Sequence, residues 1–447
     1  KEKLEERLGR LSEEFRARRQ PVTSARLRSL LPPGVVLVDI LDHAGYDPAR
    51  PVPGQEPKRR LTAWILRSDA STVRVPLGDA GRIEKETEEW RVELEKGSAS
   101  APQGAALRRL VWEPLEKHLG GAKLVLVSPD GAATRLPFAA LPGSKPGKVL
   151  LEEVPLAMLP VSQALPELLE AAKGGTKLLT AGGIDFDAKP AGQRLGPVAK
   201  WQPLPATVPE AEAIGKLHAG GTTALGGKAA TKAAVREGLA THRYAHLATH
   251  GFFAPPTMTS GLLHVIARPE RLFGLTGASG FHPGLLSGIV LAGANNPTDR
   301  DDGVLTALEI ADMDLSGMEL AVLSACQTGL GQEAAGEGMR GLQRAFAVAG
   351  CKSVVSSLWS VHDAATAVLM ERFYHHLWKG KKSKLEALRL AQLEVRDHPD
   401  WVEKRQEKMS AYRGPRGAGM KAVKLPGGAR RSPPAWWAAW QLSGDWR

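Results

Sequence analysis

The chain has little cysteine: Cys326 and Cys351 are the only two in 447 residues. Two thiols cannot build a disulfide framework, and neither stands in a paired Cys/His spacing that would hold zinc. No metal site and no organic cofactor are expected. Such usage fits a reducing compartment, so a cytoplasmic location is expected. No apolar run reaches the roughly 18 residues of a membrane-spanning helix, which argues against a membrane partner. A basic-then-apolar secretory signal is missing too. The chain opens at Lys1 on a charged stretch without an initiator Met, from which we expect residues upstream.

What is present is the composition of a soluble globular protein, with charged residues at 24% and length enough for two to four domains. Net charge is +11, a balance that points to nucleic acid or an acidic partner. The excess is concentrated, however. Between Glu403 and Arg431 nine Lys/Arg face two Glu, so the rest of the chain is closer to neutral. Basic segments bind nucleic acid in a salt-dependent, sequence-independent way. Few aromatics beyond Tyr412 interleave here, and charge runs usually face water. The Gly-, Pro- and Lys/Arg-rich stretch at about 397–432 therefore reads as a flexible, solvated insertion, with nucleic acid the lesser partner.

Leu4, Leu8, Leu11 and Phe15 space an amphipathic helix within residues 1–33. Over 34–173, GVVLVDI, LTAWIL, TVRVPL and KLVLVSP read as strands, with helical stretches near 80–96 and 104–118. No catalytic constellation falls here, so this is a supporting α/β subdomain. Glycines at 174–175 mark a boundary. Over 174–447 strands and helices alternate regularly, which indicates a mostly parallel sheet covered by helices on both faces. A capping box is expected between Thr207 and Glu210, and another between Ser383 and Glu386. The closing AWWAAWQLSGDW is apolar enough to dock on the core.

Two strand ends carry chemistry. RYAHLATHGFF delivers His250 followed by Gly251, and MELAVLSACQTG delivers Cys326 before a glycine-rich loop. Open α/β sheets place their sites at the carboxyl edge. A thiol beside an imidazole at that edge equips a protein for acyl transfer through a thioester. Taken singly, a Cys at a strand end is usually a small buried hydrophobe, and a loop His is usually just satisfied. Their co-occurrence is what matters. The backbone N–H groups of Gly251 and Cys326 are candidate oxyanion donors. Cys351, between a helix cap and a strand, reads as core.

The wider strings LATHG, LSACQTGLG, GEG, GLQRAF, AGCKSVVSSLW, VHDAAT, FYHHL and WAAWQLSGD occur in order. They resemble the CHAT family of bacterial caspase-like cysteine peptidases, in the clan of caspases, separases and gingipains. The resemblance implies a caspase-like fold and a thiol endopeptidase with His250 and Cys326 as its dyad. It also implies a protein substrate cut at few sites in regulated defence or death signalling, and often an N-terminal tetratricopeptide repeat partner. The helix within 1–33 would be the remnant of such an array. Substrate-pocket candidates are Asp185, Glu337, Trp359 and Asp363. Each has an ordinary alternative: Asp185 satisfying loop backbone, Glu337 holding the loop after Cys326, Trp359 in the core and Asp363 as a helix N-cap. The rivals to the enzyme are a catalytically silent module that keeps the fold and binds a partner protein through the groove beside His250 and Cys326, and a nucleic-acid-binding protein acting through the basic 403–431 segment.

Overall fold

Among the described residues, fifteen strands form two sheets. They are β1 (Val35–Ala44), β2 (Arg59–Arg67), β3 (Ala70–Asp79), β4 (Leu124–Ser128), β5 (Leu156–Met158), β6 (Leu178–Ile184), β7 (Thr222–Gly227) and β8 (Tyr244–Leu247). β9 (His250–Phe253), β10 (Ser287–Val290), β11 (Val304–Thr306), β12 (Leu320–Leu323), β13 (Cys326–Gln327), β14 (Ser353–Ser357) and β15 (Trp440–Gly444) complete the set. The computed structural model describes residues 21–45, 58–98, 102–194, 200–253, 287–324, 326–327, 335–411 and 430–447. The helix expected from Leu4 to Phe15, most of the loop after β9, the loop after Cys326 and the basic residues 412–429 lie outside them.

The large sheet runs β3-β2-β1-β4-β5-β15-β14-β12-β8-β6-β7. Its pairings are parallel except β3–β2, β2–β1 and β15–β14. Strands β4 (LVLVS), β12 (LAVL) and β14 (SVVSS) are buried at every residue, as strands covered on both faces must be. β12 shows how one strand serves two cores. Leu320 and Val322 join one cluster, Ala321 and Leu323 the other, because successive side chains point to opposite faces. The first cluster takes Ile214 of the helix Thr207–Leu217 and the apolar faces of Asp363–Tyr374 and Lys384–Asp397. The second takes Val235, Ile310, Leu342 and Phe346 from the helices Lys232–Thr241, Ala307–Ala311 and Ala335–Val348. The expected α/β architecture, with helices on both faces, is the one found.

The tail docks as its composition requires. β15 lies antiparallel to β14 and sets Ser443 beside Met158 of β5, so the last strand of the chain closes the gap between β1–β5 and the strands that follow. Buried Asp445 pairs with Lys384 Nζ at 3.1 Å, and Gln392 Nε2 donates to the carbonyls of Trp437 and Trp440.

Three local expectations need correction. Thr207 and Glu210 make no capping box: the N-cap position is Ala206, and Thr207 Oγ1 instead donates to Leu204 O and accepts from Gly183 N–H. Gly183 has φ +61° and a Cβ there would meet Val208 Cγ2 at 2.3 Å, so glycine is what lets the helix sit this close to β6. Ser383 does cap its helix, accepting from Glu386 N–H, whereas the Glu386 side chain turns to Arg389. The stretch after 397 is not flexible throughout, since Pro399–Ala411 is helical. Pro suits a helix start, and Val402, Gln406 and Met409 recur on one inward face.

Candidate active site

β8 and β12 are parallel neighbours in the large sheet, with Leu247 opposite Leu323. Beyond these residues both chains leave it. Ala248 N–H still reaches Ala181 O, but Thr249 Oγ1 donates to Val290 O of β10. Both chains then pair again in a four-stranded sheet ordered β11-β10-β9-β13. Three residues past Leu247 and three past Leu323, His250 stands opposite Cys326, and Gln327 opposite Gly251. The register of the large sheet is therefore kept across the step. The sequence reading placed both residues at the tips of one sheet edge; they instead open two strands of a second, smaller sheet. Neighbouring strands lie about 4.8 Å apart, so the two backbones are adjacent.

His250 is buried, and its ring lies between Phe186 (centroids 5.0 Å) and Trp201 (5.4 Å). Its Nε2 is 2.7 Å from Gln202 O. A carbonyl only accepts, so the neutral ring carries its hydrogen on Nε2 and its lone pair on Nδ1. Burial lowers the imidazole's pKa, and the Gln202 hydrogen bond opposes this in part. The neutral form is favoured as a result. Gly251 is interior to its sheet, facing Ile289 of β10 and Gln327 of β13, whereas Cys326 belongs to the outer strand.

Two layers of support were not foreseen from the sequence. Beneath the strand ends, Glu210 Oε1 accepts from His246 Nε2 at 2.9 Å and from Ser324 Oγ at 2.7 Å, all three side chains being buried. His246 Nδ1 lies 3.3 Å from Tyr374 Oη. Beside His250, Asn295 bridges the segments that carry Phe186 and Trp201. Glu210 was hidden by its match to a capping box. The Gln202 contact is through backbone and leaves no trace in residue identity.

The pocket candidates lie on different elements. Asp185 follows β6 and is exposed; its Oδ1 accepts from Asp187 N–H and its carbonyl from Gly293 N–H. Asp363 opens its helix, but the N-cap position is His362 and no side chain caps there. The N-cap assignment is thus corrected. Its half-buried carboxyl is instead pushed up in pKa by burial and then by the charge of Glu210. Trp359 is core: it is 1% exposed and its indole N–H donates to Ala435 O. Glu337 lies in the first turn of Ala335–Val348.

Cys351 is fully buried, with Sγ 3.3 Å from Ser353 O, and burial pushes its thiol up to about 12. A Cys326→Ala variant is therefore expected to show no thiol reactive toward a disulfide reagent at neutral pH until it is denatured. Rapid labelling of the native variant would contradict this placement of Cys351.

A mostly parallel sheet clad in helices on both faces, with a histidine and a cysteine paired across neighbouring strands, defines a layered α/β protein. The chain belongs to the CHAT domain family, which matches residues 101–445. It is similar to tetratricopeptide repeat protein 28 of Mus musculus (28% identical over 325 residues) and of Homo sapiens (26% over 325). Each match covers 66% of this chain but only 13% and 12% of those proteins. Among solved structures, it resembles the Arg-specific cysteine proteinase gingipain R at TM-score 0.38 and 12% identity, over 82% of this chain and 74% of that one. It also resembles the Saccharomyces cerevisiae separase–securin complex at TM-score 0.47 and 9% identity, over 94% of this chain and 31% of that one. Among the described residues no helix is long and apolar enough to cross a membrane.

Proposed function

We propose that the chain is a cysteine endopeptidase in which Cys326 is the nucleophile and His250 the general base and acid. The observation that carries the reading is the pairing of Cys326 with His250 in register across β13 and β9. His250 Nδ1 takes the thiol proton, and the sulfur attacks the peptide carbonyl. The tetrahedral oxyanion is met by the N–H groups of Gly251 and Cys326. The C–N bond then breaks as the imidazolium returns its proton to the leaving amine. Water, deprotonated by the same nitrogen, hydrolyses the thioester and restores the thiol. Exposed Asp185 and half-buried Asp363, with Glu337, are the proposed pocket residues, a carboxylate being suited to a basic side chain. The substrate is a partner protein cut at few sites in the cytoplasm, in bacterial defence or death signalling, under control of an N-terminal repeat domain or another partner.

Cleavage of a random peptide library, with Cys326→Ala as control, tests activity and primary specificity together. If wild type and variant give the same products, or none, while both bind one partner protein, the chain is the silent interaction module instead.

The pH profile gives a second test. Burial of His250 disfavours the imidazolium, so the ring stays a base to lower pH than a free imidazole, whose pKa is about 6.5. The acid limb of kcat/KM is expected below that value, and a limb above it would count against His250 as the buried base.

A further inference from the structure

We propose that Asn295 is a positioning residue that fixes the tautomer of His250 by clamping the backbone at Trp201–Gln202. The inference deepens the dyad reading and rests on it for its kinetic arm alone.

The contacts form a chain of short links. Asn295 Oδ1 accepts from Trp201 N–H at 2.7 Å, and Asn295 Nδ2 donates to Trp201 O at 3.0 Å. One side-chain amide thus grips both polar groups of a single backbone residue. The next carbonyl along, that of Gln202, accepts from His250 Nε2. The same Nδ2 also donates to Asp187 Oδ1 at 2.9 Å, and Asn295 N–H donates to Phe186 O at 2.9 Å. Asn295 therefore ties together the two segments whose rings, Phe186 and Trp201, flank the imidazole.

Geometry makes the tie consequential. The Gln202 side chain is exposed and only its backbone acts, so nothing in that residue itself holds the carbonyl in place. Gln202 precedes Pro203, which confines its backbone to the extended region, so pinning Trp201 largely sets the direction of the Gln202 carbonyl. Release of the pin lets the carbonyl turn toward water, and a histidine without that acceptor can place its proton on either nitrogen. With hydrogen on Nδ1 the ring can no longer take a proton from Cys326. Asn is suited to the task because it offers an acceptor and two donors in one plane. Asp could accept from Trp201 N–H but not donate, and would set a second carboxylate against Asp187.

Imidazole nitrogen NMR of the uniformly 15N-labelled protein reads the tautomer without reference to catalysis, the His250 signals being assigned by their loss in His250→Gln. Wild type is expected as the Nε2–H tautomer. Asn295→Ala and Asn295→Asp, shown folded by circular dichroism, are expected to populate the Nδ1–H form. If peptide cleavage is observed, kcat in both should fall roughly 10- to 100-fold with KM little changed, the effect of a misaligned catalytic group. Asn296→Ala is the control, since Asn296 holds the Asp187 and Ala188 carbonyls but does not touch Trp201. It should keep the wild-type tautomer. A wild-type tautomer in both Asn295 variants, or the same change in Asn296→Ala, would overturn the proposal. Absence of cleavage by wild type would sink the peptidase reading while leaving the tautomer test intact.

Discussion

Peptide cleavage is expected to fall by roughly 10⁴- to 10⁶-fold when Cys326 is replaced by Ala, the range seen when a covalent nucleophile is removed. Serine at the same position should also be nearly inactive, because a hydroxyl gives up its proton far less readily than a thiol. His250→Ala should lose almost as much, and the double variant little more than either single one. Residues that act as one unit are strongly non-additive. The pairing of the two residues in register across β9 and β13 is the basis for expecting this coupling. Single-turnover cleavage of a peptide found in the library screen measures all four proteins. Independent, multiplying losses in the double variant would show that the two residues do not form a dyad.

The second large effect should be on stability. Glu210→Ala is expected to destabilise the fold by about 3 kcal/mol, because it strands two buried polar groups at about 1–3 kcal/mol each. Glu210 is 5% exposed, His246 0% and Ser324 6%, so water cannot readily replace the carboxylate. Glu210→Gln keeps an acceptor oxygen and the side-chain volume, and should cost about 1 kcal/mol. Shifts of the urea midpoint in the two variants provide the comparison. Activity should fall with stability in Glu210→Ala, since His246 lies four residues before His250 and Ser324 two residues before Cys326. An Ala variant within about 0.5 kcal/mol of wild type, the usual range for surface changes, would show that the carboxylate is not needed there.

Much of the architecture was legible because buried parallel strands write themselves as continuous apolar runs. ELAVLS and KSVVSS could hardly be anything else, and each became a fully buried strand. The tail declared its docking by its tryptophans. What was not legible falls into two kinds. Short strands such as β9, β11 and β13 have two to four residues, too few to show a period, and exist only because a partner strand lies alongside. The second kind is redirected chemistry. Thr207 and Glu210 fit a capping box, yet Glu210 turned inward because two buried donors, from β8 and from the end of β12, converge on it. The basic character after 397 likewise drew attention from Val402 and Met409, whose burial makes the first part of that stretch a helix.

By itself the sequence determined the α/β class, the two residues suited to acyl transfer and the inert character of Cys351, since these follow from hydrophobic periodicity and side-chain chemistry. Only the tertiary structure decided that His250 is opposite Cys326 in register, that Gln202 O and two aromatic rings contact the imidazole, that Asn295 bridges the segments carrying those rings, and that Glu210 bonds His246 and Ser324. Those facts join residues tens to more than a hundred positions apart through backbone atoms and buried contacts, and no local pattern of side chains encodes them.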